Sequence, residues 1–242
     1  MLIEYLKDTI RKGLNMLHLD LTKNLEYDRL TRKIIQEKLQ PNSNCIDVGC
    51  HKGEILELIL KAAPKGQHFA FEPIPAMAVN LAQKFSGKVT LFANALAEEK
   101  KTAVFNFVKN APAYSGLLER EYQVKPDIEK IEVQVVTLDE TIPKNIPIHF
   151  IKIDVEGGEM GVLKGGTQLL GQYKPLLVFE FGKGASEFYG THPHQLFDFL
   201  SNQFNYRINT LRLYLQDFRS LTKEEFTQHY TKGTEYYFVA YL

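Results

Sequence analysis

The chain has 242 residues, 44% of them hydrophobic, enough to bury a full core without staples, and its length fits one α/β domain. Lysine plus arginine equal aspartate plus glutamate at 29 each, so no net field gathers polyanions or holds the chain on an acidic membrane, and nucleic acid and membrane are not expected as partners. The two cysteines, Cys45 and Cys50, have no second pair, which fits reduced intracellular thiols and argues against a disulfide framework or structural zinc.

In chain order, MLIEYLKDTI carries Glu4 and Asp8 inside its apolar stretch, unlike a signal peptide, and no run of about 18 apolar residues follows. A cytoplasmic protein with no membrane span is the expectation. Leu2, Leu6, Ile10, Leu14 and Leu17 form a stripe at nearly helical spacing, and a second helix is expected from about Leu25 to Leu39, stopped by PNSN. Residues 1–40 are thus read as a helical segment packing on a core domain of residues 41–242, with the first stripe a candidate homo-oligomer interface.

After Pro41 the pattern changes. NCIDVG, QHFAFEP, KVTLFANA, HFIKIDVEG and KPLLVFEFG are short apolar, strand-like runs, and EILELILKAA and PAMAVNLAQKF read as helices between them. Such alternation predicts a doubly wound, mostly parallel sheet covered on both faces. Between Ala95 and Pro147 two period-two runs interrupt it: Ala103, Phe105 and Phe107 share one face of KTAVFNFV, and Ile131, Val133 and Val135 share one face of IEVQVVTL. They read as an inserted strand pair separated by a loop containing APAYSG. Past Gly182 come a helix near 193–203, the strand-like runs FNYRIN and YYFVAYL, and a polar helix near 221–230.

The segment CIDVGCHKG is a tight turn from a buried strand into a helix, a place where backbone donors and the positive helix end meet a ligand. A dinucleotide fingerprint would need glycines where Asp47 and Lys52 stand, so an oxidoreductase is the weaker reading. Glu72, in FEP at the end of the next run, can accept hydrogen bonds from both hydroxyls of a ribose, and Asn94 with Ala95 offers the amides that read an adenine edge.

Together with FIKIDVEGGEMGVLKGG, NALAEEKK and VQVVTLDE, these stretches closely resemble the FkbM family of class I S-adenosylmethionine-dependent methyltransferases, over about Asn44 to Gly182. The resemblance implies a Rossmann-like seven-stranded sheet with its last strand antiparallel. It implies S-adenosyl-L-methionine as cofactor and, usually, O-methylation of a sugar, glycolipid or polyketide hydroxyl. Carried onto this chain, the cofactor residues are Asp47, Gly49, Cys50, His51, Gly53, Glu72, Pro73, Asn94 and Ala95, with Asp154 lining the reaction side. His51 stands where the family more often shows Asn.

Methyl transfer is an in-line displacement in which alignment supplies roughly 7–11 kcal/mol and one general base roughly 3–5 kcal/mol, so positioning dominates. Asp154, Glu156 and Glu180 are the catalytic candidates, able to serve as a base or to hold a cation; Glu159 is either a fourth member or a backbone cap. Mg²⁺ is an alternative that is not favoured. His51 and His194 are the histidines worth testing, and Ser115 either touches substrate or makes an ordinary turn. The acceptor is expected to be a small molecule, sugar or lipid-linked glycan. A non-enzymatic cofactor-binding or assembly module on the same fold is the competing reading.

Overall fold

A computed structural model describes residues 23–122 and 125–242, so the Leu2 to Leu17 stripe lies outside the described residues. The first described helix, α1 (Lys23–Lys38), carries Leu30, Ile34 and Ile35 on its buried face. Ile34 and Ile35 are fully buried, worth about 1.5–3 kcal/mol each in transfer free energy.

The apolar runs become strands of one sheet: β1 (Cys45–Val48), β2 (His68–Phe71), β3 (Thr90–Phe92), β7 (Phe150–Ile153), β8 (Leu176–Glu180), β9 (Arg207–Thr210) and β10 (Tyr237–Tyr241), in the order β3-β2-β1-β7-β8-β10-β9. Strand β10 is antiparallel to both β8 and β9, and the pairings among β3, β2, β1, β7 and β8 are parallel. This is the mostly parallel, doubly wound class I methyltransferase sheet that the sequence predicts. Strands β1, β2 and β7 are buried at every residue, which is why they lack polar alternation.

Alternate residues of each strand serve the two covers. Cys45, Phe150, Val178 and Val239 pack under α1 and α2 (Glu54–Ala62), whereas Ile46, Ile151, Leu177 and Phe238 face the other layer. That second layer includes α5 (Glu159–Lys164), α6 (Thr167–Tyr173), α7 (Pro193–Asp198) and α9 (Lys223–Lys232). Helix α3 (Pro75–Lys84) follows β2, α4 (Leu138–Thr141) is a single turn, and α8 (Leu211–Leu215) follows β9 directly.

The structure refines the sequence reading in three places. KVTLFANA does not form one strand: the chain breaks at Ala93 and Asn94, and Ala95–Leu96 (β4) joins β5 (Lys101–Val108) and β6 (Ile128–Val136) in a separate three-stranded sheet of order β4-β6-β5. The inserted pair is real, and Phe105, Val133 and Val135 turn inward while Val104 is 54% exposed, so the period-two reading holds. The helix near 193–203 is α-helical only to Asp198 and widens into a π-turn over Phe199–Gln203. Helices α5 and α6 lie in the glycine-rich EMGVLKGGTQLLGQY, where intrinsic propensity argues against a helix and packing of Val162, Leu163 and Leu170 against the sheet overrides it.

Candidate functional site

In open parallel sheets ligands bind outside the carboxyl ends of strands at the point where the strand order reverses. Here that point lies between β1 and β7.

The turn after β1 curls because Gly49 (φ 71°), His51 (φ 46°) and Gly53 (φ 76°) all adopt left-handed backbone. At Gly49 a side chain is also sterically barred, since a Cβ would lie 1.9 Å from the Asp154 carbonyl oxygen. The N–H groups of Gly49 and Cys50 donate to the Phe71 carbonyl, and the N–H groups of His51 and Ile74 donate to the two carboxylate oxygens of Glu72 at 2.9 and 3.0 Å. Glu72 is 4% exposed; burial pushes its carboxyl up to about 7, against the downward pull of those two N–H groups. The His51 imidazole is held below its ordinary value, chiefly by burial and then by Lys52.

Beneath the turn, β1 and β7 are paired so that Asp47 stands directly opposite Lys152. The Lys152 ammonium is 3.7 Å from Asp47, 3.4 Å from Asp154 and 2.9 Å from the Gly49 carbonyl, to which it donates. Burial would lower the Lys152 pKa, but the charges of Asp154 and Asp47 overcome it and hold the ammonium above its ordinary value. Asp47 has its own value pushed up to about 6 by burial, which Lys152 only partly offsets. Asp154 comes out below its ordinary value because Lys152 and several hydrogen bonds outweigh its burial.

Asp154 is also the meeting point of the acids. Tyr237 donates its hydroxyl to Asp154 Oδ2, and Glu180 shares a hydrogen bond with Asp154. Two carboxyls sharing a bond require one proton between them, and it resides on Glu180, whose pKa is raised well above the usual range by burial and by the Asp154 charge. Glu156, left-handed at φ 58°, is ion-paired with Arg120 from the inserted segment, and the Arg120 guanidinium lies 5.0 Å from the Tyr114 ring centroid. One carboxylate oxygen from each of Asp154, Glu156 and Glu180 lies within 4.8 Å of the others. Glu159 is the backbone cap: its Oε1 accepts the N–H groups of Val155 and Gly157 at 3.1 and 3.0 Å, and burial pushes its carboxyl up to about 7.

Two spaces open above this floor. A narrow slot is lined by Phe71, Glu72, Pro73, Asn94, Ala95 and Phe105, among others. A wider cavity of about 360 Å³ is lined by the turn residues Gly49, Cys50 and His51, the acids Glu156 and Glu180, and residues of α1, Tyr114, Tyr236 and Tyr237. Gly49, His51, Asp154 and Glu156 line both. Of the residues expected from the sequence, Asp47 and Gly53 line neither space. Asp47 lies beneath the turn, and Gly53 lets α2 approach Phe85 and Leu81, whose atoms a Cβ would meet at 2.5 and 2.8 Å. His194 is on α7, exposed and stacked on His192, and lines neither. Ser115 lines the slot, but its hydroxyl accepts the Val108 N–H. The Asn94 amide donates to the Gln134 carbonyl at 3.3 Å.

Sequence reasoning passed over Lys152, Arg120 and Tyr237. A lysine within the apolar run HFIKIDV was a usable signal, because an unpaired lysine is almost never fully buried. Nothing local marks Arg120 or Tyr237.

The model of the Methyltransferase FkbM domain matches residues 47–208. The chain belongs to the FkbM methyltransferase family. Among solved structures it is similar to methyltransferase FkbM from Methylobacillus flagellatus KT, at 16% identity and TM-score 0.52, covering 84% of this chain and 44% of that one. This chain therefore spans less than half the length of that relative. Other matches include precorrin-6y C5,15-methyltransferase from Geobacter metallireducens GS-15, at 14% identity and TM-score 0.45 over 78% of this chain and 75% of that one. An rRNA methylase from Streptococcus thermophilus matches at 10% identity and TM-score 0.46 over 88% and 92%. No curated protein matches. Membership of the FkbM family makes S-adenosylmethionine the implied methyl donor. Among the described residues no helix is long and apolar enough to cross a membrane.

Proposed function

We propose that this FkbM-family protein transfers a methyl group from S-adenosylmethionine to a hydroxyl of a small molecule or glycan. The observation that carries the reading is the junction of the slot and the cavity at Gly49, His51, Asp154 and Glu156, where a glycine turn and a carboxylate cluster face one space.

The residues fit the cofactor. Phe71, Ile74, Leu96 and Phe105 give the slot apolar walls suited to an adenine ring, and Glu72 at its edge offers carboxylate lone pairs to ribose hydroxyls. Asn94 and Ala95 stand where an adenine edge would be read, and Gly49 leaves room for the methionyl part. The bound cofactor supplies an electrophilic methyl on a sulfonium.

The chain's own groups supply the proton chemistry. Asp154 stays ionised because Lys152 and Tyr237 stabilise its charge, while Glu180 beside it stays protonated. Two acids pushed apart in this way divide the roles: Asp154 accepts the acceptor's hydroxyl proton, and Glu180 and Glu156 hold neighbouring polar groups of the acceptor. The cavity's tyrosine rings and carboxylates suit a polyol, whose C–H faces pack on Tyr114 and Tyr236 and whose hydroxyls donate to acids. The run Asp-Val-Glu-Gly after β7, in place of Asn-Pro-Pro-Tyr, and the absence of net charge favour a hydroxyl over a base amine. Residues 41–242 form the methyltransferase domain in this reading. The described part of segment 1–40, helix α1, packs on it and, through Asn24, Tyr27 and Asp28, adds a wall to the acceptor cavity.

Calorimetric titration with S-adenosylmethionine, followed by labelled-methyl transfer to a panel of free sugars, glycolipids and amines, tests the proposal. Saturable cofactor binding and label on a sugar hydroxyl are expected. Binding of a nicotinamide dinucleotide in its place, or label on amines only, overturns it.

A further inference from the structure

Arg32 lies one turn beyond Asp28 on α1 and lines the wide cavity together with Gly49, Cys50 and Lys52 of the turn after β1. Its Nε is buried and has no hydrogen-bond partner among the described residues. A guanidinium presents five donors in a rigid fork and does not shed its charge, so one that lines a cavity and keeps an unpartnered Nε calls for an anion from outside the chain.

The nearby acids are engaged elsewhere. Asp154 holds Lys152 and Tyr237, Glu156 holds Arg120, Glu180 is hydrogen-bonded to Asp154, Glu57 pairs with Lys84, and Asp28 and Glu54 each have a partner of their own. The other cations of the cavity do not substitute for Arg32. Lys152 is spent on Asp47, Asp154 and the Gly49 carbonyl, burial favours a neutral His51, and Lys52 is exposed to solvent on the turn. The far wall carries the carboxylates of Asp154, Glu156 and Glu180, which disfavours a ligand carboxylate on that side.

We infer that Arg32 receives the α-carboxylate of the cofactor's methionyl end, as a bidentate pair, and so makes α1 part of the cofactor site. The inference rests on the proposed cofactor reading, in which that end of the molecule lies against the Gly49 turn. The planar fork matches a carboxylate in shape as well as charge.

The test uses calorimetry with S-adenosylmethionine and with its decarboxylated analogue, which keeps the adenosine, sulfonium and amine. The intact chain is expected to prefer the carboxylate form by at least about tenfold, the discrimination a charge-assisted pair provides. Arg32→Met should abolish the preference while leaving affinity for the analogue unchanged, and Lys52→Met should keep it. A second readout needs no ligand: removing an unpaired, partly buried cation should leave the melting temperature of the ligand-free protein equal or higher. A preference that survives in Arg32→Met, an equal loss of both ligands, or a ligand-free melting point several degrees lower each overturn the inference. Wild-type protein that binds neither compound overturns the cofactor reading and this inference together, whereas wild-type binding without a carboxylate preference overturns the role of Arg32 alone.

Discussion

The carboxylate of Glu72, at the carboxyl end of β2, accepts the backbone N–H of His51 in the turn after β1 at 2.9 Å. One side chain thus ties the two strand ends that flank the slot, and the same carboxylate retains lone pairs for a ligand. Glu72→Ala is expected to raise the dissociation constant for S-adenosylmethionine by at least about tenfold through lost charge-assisted hydrogen bonds. Calorimetry decides it, and an unchanged constant removes Glu72 from the ribose.

Binding should also depend on pH in a direction set by Glu72. Ribose hydroxyls donate best to an ionised carboxylate, and burial holds this one protonated up to about 7 in the ligand-free chain. Cofactor affinity is therefore expected to weaken as pH falls through about 7, approaching a tenfold loss one unit below. A flat affinity between pH 6 and 8 would contradict the assignment.

Glu159 makes a separate prediction about stability. Its folded value of about 7 lies above its ordinary 4.5, so between those values the folded chain binds more protons than the unfolded one, and stability falls as pH rises through that window. Glu159→Gln removes the ionisation and keeps an oxygen to accept the Val155 and Gly157 N–H groups. The difference in melting temperature, variant minus wild type, is expected to grow from pH 4.5 to 7 and then level off. A constant difference across a pH series of thermal melts would show that burial does not perturb this carboxyl.

Among the described residues, Lys152 is the cation paired with both the buried Asp47 and the partly buried Asp154, and its side chain is only 7% exposed. Lys152→Met should cost about 3–5 kcal/mol, because it strands Asp47 and Asp154 without a counter-charge. Adding Asp47→Asn should recover part of that loss. Urea unfolding of the single and double variants measures both, and a purely additive double variant would show that the pair is not coupled.

Exhaustive chelation should leave methyl transfer intact. Asp154, Glu156 and Glu180 come close enough to hold a cation, yet their charge is already met by Lys152, Arg120 and the proton on Glu180. Activity lost on chelation and restored by Mg²⁺ would reverse this expectation.

Much of the chain was legible without coordinates because the signals are local. Unbroken apolar runs mark strands buried on both faces, period-two runs mark the inserted pair, and the glycines of CIDVGCHKG mark a turn that only left-handed backbone can make. Those patterns, with KIDVEGGE, determined the sheet, the family and the position of Glu72 at a strand end. Tertiary structure alone decided which charges meet. Tyr237 reaches Asp154 from 83 residues away, Arg120 arrives from the inserted segment to hold Glu156, and Lys152 faces Asp47 only because β1 and β7 pair in that register. It also divided KVTLFANA between two sheets and brought α1 over the Gly49 turn. The physical reason is that periodicity and turn chemistry are properties of neighbours along the chain. The ionisation of a buried carboxyl depends on desolvation and on charges within a few ångströms, supplied by whatever segments the fold packs there.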